Sequence, residues 1–210
     1  RGVLLAASLL VPLGLGACVD PGSDSPRERE RVGTASQALA LSAASDTYLR
    51  HGAQNKNQGD DAFLRVRAGG DNRALVRFDQ AAIASAVGSG TLTRATLELT
   101  VTQNGDNWGS NGRTVDLYRV TTSWTELGAT WNCRHDSNTS NSRPDCPTAA
   151  WAMDGSSPRP WATSPTATTL VTSATTGVIA LEVTADIDLF LDGSATNEGW
   201  VLRKTDEDKP

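Results

Sequence analysis

Thr93-Arg94-Ala95-Thr96-Leu97-Glu98-Leu99-Thr100-Val101-Thr102 alternates apolar and polar residues over most of its length. Ala95, Leu97, Leu99 and Val101 share one parity, while Thr96, Glu98 and Thr100 share the other. A period of two sustained this far specifies a β-strand with one dry face and one wet face. The threonines reinforce that reading, because β-branched side chains crowd a helical turn and suit a pleated surface. The apolar parity needs a second layer to cover it. The stretch is therefore expected to be a central strand of an all-β, antiparallel β-sandwich, with function on a sheet face or in the loops.

The segments around it agree. Upstream, residues 62–68 set Leu64 and Val66 against Arg65 and Arg67, Gly69-Gly70-Asp71-Asn72 reads as a turn, and 73–79 as the return strand. Residues 46–50 are extended, 51–61 form a polar loop, and 81–87 are small and weakly helical. Downstream, 103–113 is an Asn/Gly/Asp loop carrying Trp108, and 114–120 is a strand. Residues 134–165 are long and polar, which in a compact domain marks a functional or cross-linked loop. Strands follow over 166–171, 177–183 and 198–205, with one short helix over 185–191. No strand–helix–strand alternation appears, which argues against a parallel α/β fold.

The totals narrow the function classes. At 210 residues the chain holds one sandwich and a tail. A net charge of -5 argues against nucleic acid or an anionic membrane surface as partner. Two histidines, both in polar loop sequence, do not make a His-rich zinc centre. Six Trp against three Phe and two Tyr is an unusual mix, and since Trp is rarely buried completely some should reach the surface.

Residues 3–17 are apolar and small, too short to span a bilayer but suited to the h-region of a signal peptide. Leu15-Gly16-Ala17-Cys18 resembles the lipobox of bacterial lipoproteins, so residues 1–18 are expected to be a leader and Cys18 its lipidated residue. The protein would then be secreted to the cell surface, touching membrane only through that lipid. Residues 19–41 have little to bury and are expected to be a flexible linker, with the domain starting at Ser42. The sequence lacks an initiator Met and ends at Pro210 without a closing strand, so it is expected to be a fragment missing its last strand.

Cys133 and Cys146 bracket a polar loop. An exported chain places them in an oxidising compartment, where closing such a loop stabilises by roughly 3 kcal/mol. Zinc is the rival, but two Cys with one nearby His lack a fourth ligand. A disulfide is favoured.

Several pieces then line up in order: Asp46-Thr47-Tyr48, Asn57-Gln58-Gly59, Leu64-Arg65-Val66, Arg73-Ala74-Leu75-Val76-Arg77-Phe78-Asp79, Thr93 to Leu99, Trp124-Thr125-Glu126, Thr130-Trp131-Asn132 and Gly199-Trp200-Val201-Leu202-Arg203. The set resembles the DNRLRE domain, which overlaps with carbohydrate-binding module family 96. The resemblance implies an exported jelly-roll sandwich that accompanies polysaccharide-degrading enzymes or surface proteins and binds alginate-type glycans.

Binding a glycan asks for an exposed aromatic plate, polar groups for the hydroxyls and, for a uronate, Arg to pair with its carboxylate. Trp108, in its polar loop, is the expected plate, and Arg65, Arg67 and Arg77 are the expected guanidinium groups, against the alternative of a solvated outer face. Trp124 and Trp131 are expected in the core, with Trp151 and Trp161 open either way. No cofactor is required. Asp46, Asp60 and Asp79 are weak candidates for a structural calcium, opposed by their ordinary role as turn residues. Catalysis is not expected: Glu98, Glu126, Glu182 and Asp116 form no distinguished acid pair, and no nucleophile elbow is present. An adhesion module for protein partners is the alternative, and a polysaccharide-degrading enzyme a more distant one.

Overall fold

The computed structural model describes residues 3–14, 36–67, 71–105, 108–141, 143–146, 150–151 and 159–207, with 3–14 and 36–38 described as backbone. The alternating stretch becomes β7 (Thr96–Gln103), whose Leu97, Leu99 and Val101 are buried while Thr100 and Thr102 are exposed. Ahead of it come β1 (Val3–Gly14), β2 (Ser36–Ser42), β3 (Ser45–Arg50), β4 (Leu64–Val66), β5 (Asn72–Arg77), α1 (Gln80–Val87) and β6 (Thr91–Leu92). After it come β8 (Arg113–Arg119), β9 (Ala167–Val171), β10 (Gly177–Glu182), α2 (Thr184–Leu191) and β11 (Trp200–Lys204). Both sheets are antiparallel. The first runs β10-β7-β1-β2, with β4 and β6 also on β1; the second runs β3-β5-β11-β8-β9. The sandwich expected from the sequence is the observed fold.

Between the sheets lies an aliphatic core. Leu64, Val66, Leu97, Leu99 and Leu181 enter it from the first sheet, and Ala74, Val76, Leu117 and Leu202 from the second. Ile83 of α1 and Phe190 of α2 join the same cluster, Phe190 lying 5.5 Å from the Trp200 ring. Gly199 has φ 71° and would drive a Cβ into the Val76 carbonyl, so only glycine lets β11 start this close to β5.

The outer face of the second sheet is buried too. Leu75 of β5, Val201 of β11 and Leu49 of β3 turn away from the aliphatic core into a second cluster with Trp124, Trp131, Trp151 and Trp161. The described residues of the segment between β8 and β9, which carries these four tryptophans, thus cap that face. Arg73 is 3% exposed beneath the cap, 4.3 Å from the Trp131 ring and 5.2 Å from the Trp161 ring. Its guanidinium pairs with Glu207 at 2.8 Å and donates to the Trp151 carbonyl, and Arg203 shares the same carboxylate at 2.8 Å. Buried charge is tolerable only when paired in this way. Burial pushes the Glu207 carboxyl up, but hydrogen bonds and charge from Arg73 and Arg203 hold it below its ordinary value.

Several expectations change. All six tryptophans are buried, at 5% exposure or less, because the cap takes four of them and the aliphatic core two. β2, Ser36–Ser42, overlaps the end of the stretch expected as linker. Val3–Gly14, read as a leader, is here a strand and the hub of its sheet. It pairs with β7 over Leu4–Leu10, β2 over Ser8–Gly14, β4 over Val3–Leu5 and β6 at Leu13 and Gly14. Among the described residues β2, β4 and β6 have no other strand partner in that sheet. A continuous apolar run suits a buried strand as well as an h-region. Cys18 lies outside the described residues.

Candidate functional site

The expected binding residues do not meet around an exposed ring. Trp108 is 3% exposed in the aliphatic core, so it is no solvent-facing plate. Its indole N–H donates to Asn104 Oδ1 at 2.6 Å and Lys204 Nζ sits 5.0 Å from its ring, which gives a polar-loop Trp a reason to turn inward. Arg77 is committed to structure: it pairs with Glu198 at 3.1 Å and lies 5.1 Å from the Trp124 ring. Arg65 points outward as expected, 44% exposed, 3.9 Å from Asp61 and 5.4 Å from the Tyr48 ring. Arg67 is exposed just beyond β4.

The acids expected as calcium candidates are also apart. Asp79 caps α1, accepting from Ala82 N at 2.8 Å. Asp60 is exposed in its loop. Asp46 lies by Glu126, and burial and that neighbouring charge raise its carboxyl above the ordinary range. Among the described residues no three Asp, Glu, His or Cys side chains converge on a metal position.

What the fold does assemble is a groove at the rim of the second sheet. The end of β3 runs into the turn His51–Ala53, and this wall faces Thr139, Ser140 and Asn141 of the long loop. Arg50, Gln54, Asn55 and Lys56 complete the lining of a volume of about 550 Å³. Two cations, three amides and two hydroxyls face it, with no carboxylate among the described lining residues. Both walls are held from behind. Asn132 donates to Asn55 Oδ1 at 2.7 Å and, through its backbone N–H, to the Gln54 carbonyl at 3.1 Å. The His51 ring packs 4.8 Å from Trp131, tying the first wall to the cap. The second wall belongs to the loop closed by the Cys133–Cys146 disulfide, Cα–Cα 5.2 Å. Neither wall carries a motif, and they lie far apart in the chain, so sequence periodicity offered no signal for this site.

Chemically, such a lining can bond hydroxyls and neutralise an anionic group. It offers no activated nucleophile. Ser123 Oγ lies 3.1 Å from His135 Nε2, but the pair is exposed and no described carboxylate orients the ring's other nitrogen. Of the four acids considered for hydrolysis, Glu126 lies by Asp46, Glu182 pairs with Arg94 at 2.7 Å, and buried Asp116 accepts from Thr168 at 2.7 Å. Glu98 stands on the outer parity of β7.

No helix among the described residues is long and apolar enough to cross a membrane. No curated protein and no solved structure matches the chain. Residues 37–153, more than half of it, match the family model of carbohydrate-binding module family 96, and both walls of the groove fall inside that span. The protein therefore belongs to carbohydrate-binding module family 96, a family of noncatalytic binding modules.

Proposed function

We propose that this chain is an exported, noncatalytic module that grips polysaccharide in the groove between residues 50–56 and 139–141, with uronate polymers such as alginate as the preferred class. The observation that carries the reading is the lining itself. Gln54, Asn55, Asn141, Thr139 and Ser140 supply donors and acceptors for ring hydroxyls, while Arg50 and Lys56 supply charge for carboxylates. Arg offers a bidentate fork and Lys a point charge, so the pair suits repeated carboxylates along a chain. With every Trp in a core, recognition here is polar rather than by stacking.

Affinity electrophoresis on alginate, pectin and a neutral glucan tests this. Retardation should be strongest on the uronates. Arg50→Ala with Lys56→Ala should weaken it roughly tenfold or more, the worth of a lost charge-assisted bond, at an unchanged unfolding midpoint. Arg65→Ala with Arg67→Ala should leave it intact. A groove variant that binds at full strength would move the site to another face, and no retardation on any polymer would reject the function. Depolymerisation by the pure protein would turn the reading toward an enzyme.

A leader over residues 1–18 and lipid on Cys18 are proposed on sequence alone. The mass of the mature N-terminus tests both, since an uncut leader or an unmodified Cys18 removes the anchor.

A further inference from the structure

The two walls of the groove are held in different ways. The first is bonded to the body by Asn132, whose side chain and N–H reach Asn55 and Gln54. The second is bonded to its own loop. Asn141 N donates to the Asn138 carbonyl at 3.3 Å, Ser140 Oγ to Asn138 Oδ1 at 2.5 Å and Arg143 N to Asn141 Oδ1 at 2.6 Å. Asn138 N donates to Asp136 Oδ1 at 3.1 Å, and Ser137 N to Asp145 Oδ2 at 3.0 Å. Among the described residues, the hydrogen bonds of 137–145 stay within 136–145. The loop meets the body at its two ends. At one, Asp136 N donates to the Gly128 carbonyl at 2.9 Å and Thr125 N to the Arg134 carbonyl at 3.1 Å. At the other stands the Cys133–Cys146 bridge. Beyond it, the next tie among the described residues is Ala150 N to the Asn132 carbonyl at 3.2 Å.

Asn132 and Cys133 are neighbours, so the bridge fastens the second wall one peptide bond from the residue that braces the first. We propose that this bridge is a redox latch on the groove: its reduction by a dithiol frees the second wall and weakens the grip without unfolding the sandwich. The weakened grip rests on the groove being the sugar site; the release of the loop does not. The sulfurs differ in access, Cys133 being fully buried and Cys146 half-buried. A thiolate of the reductant therefore attacks Cys146 Sγ, and Cys133 leaves and takes up a proton. The reductant's second thiol then displaces Cys146, so the reductant ends as a disulfide and the protein as two thiols. None of the described residues 137–145 belongs to either buried cluster, so both cores outlast the change. The first wall keeps Arg50 and Lys56, whereas the second carries the hydroxyls of Thr139 and Ser140 and the Asn141 amide. Reduction thus removes hydroxyl recognition and leaves charge.

Affinity electrophoresis of the full chain on alginate and pectin, oxidised, reduced with dithiothreitol and reoxidised, tests the proposal alongside amide hydrogen exchange. The reduced protein should bind roughly tenfold more weakly or worse, and reoxidation should restore the parent value. Its residual binding should vanish with added salt, and its preference between the two uronates should fade. Exchange over 137–145 should accelerate on reduction while β7 and β11 keep their protection. Cys133→Ala with Cys146→Ala should match the reduced protein and ignore dithiothreitol. Equal binding by oxidised and fully reduced protein would overturn the latch, and so would unchanged exchange over 137–145. Loss of protection in β7 would overturn it too, by making the bridge a staple of the whole fold. An oxidised protein that binds neither polymer would reject the sugar site instead, and exchange alone would then decide whether the loop is latched.

Discussion

The two buried clusters are built to different rules. The core between the sheets is aliphatic and comes from strands whose apolar residues alternate, so each strand contributes by its period alone. The cluster under the cap packs four tryptophans from a segment with little regular structure against Leu49, Leu75 and Val201 of the sheet, beside two buried arginines that share a glutamate. Alternation needs only a matching layer. The cap needs its charges paired, its indoles oriented and its loop cross-linked, and each of those partners comes from a remote part of the chain. The difference has a functional result. By sealing the outer face of the second sheet, the cap takes up the aromatic side chains and leaves the rim as the accessible polar surface.

The sharpest way to break the comparison is to weaken each cluster separately. Leu97→Ala removes a fully buried side chain from the aliphatic core and should cost about 4 kcal/mol in urea unfolding, lowering the midpoint for the whole domain. Glu207→Gln leaves Arg73 and Arg203 buried without their shared carboxylate and should cost about 3 kcal/mol. That loss should appear first in near-UV dichroism from the capping tryptophans. A parent-like unfolding curve for Glu207→Gln would mean that the cap does not depend on its charges.

Acid should reproduce the same effect. The folded Glu207 carboxyl lies below its ordinary value of 4.5, so its stabilisation is complete above that pH and is lost as pH falls through the depressed folded value. Near-UV signal monitored from neutral pH downward should decline below about 4.5 in the parent, and Glu207→Gln should lack this component. Of the same order, Cys133→Ser with Cys146→Ser should cost roughly 3 kcal/mol, because the bridge restricts a loop of this size in the unfolded chain. At the bottom of the scale, Arg94→Ala breaks an ion pair whose partners are 64% and 49% exposed and should change the midpoint by less than about 0.5 kcal/mol.

Legibility follows the same divide. β7, β8, β10 and β11 were readable because alternation is a local property of the chain. The two helices were readable too, as short stretches of small or apolar residues between strands. The cap was not. Trp151 and Trp161 sit in polar, proline-punctuated sequence, and what buries them includes a guanidinium clamped by a residue 134 positions away. Trp108 misled for a related reason, since its Asn/Gly/Asp neighbours read as surface while Asn104 and Lys204 supply the partners that let it turn inward. The disulfide was legible from a polar loop bracketed by cysteines in a chain expected to be exported, and the outward face of Arg65 from parity. The groove was not, because its two walls meet only after the cap has folded.

The place of β1 has a consequence for the order of events in the cell. Its four partner strands all lie downstream, the farthest ending at Gln103, so β1 is synthesised well before the last strand that it pairs with. During that interval the same twelve residues would be open to translocation if they form the leader proposed on sequence. A leader so engaged would leave β7 without this neighbour, whereas sheet closure seats β1 beside it.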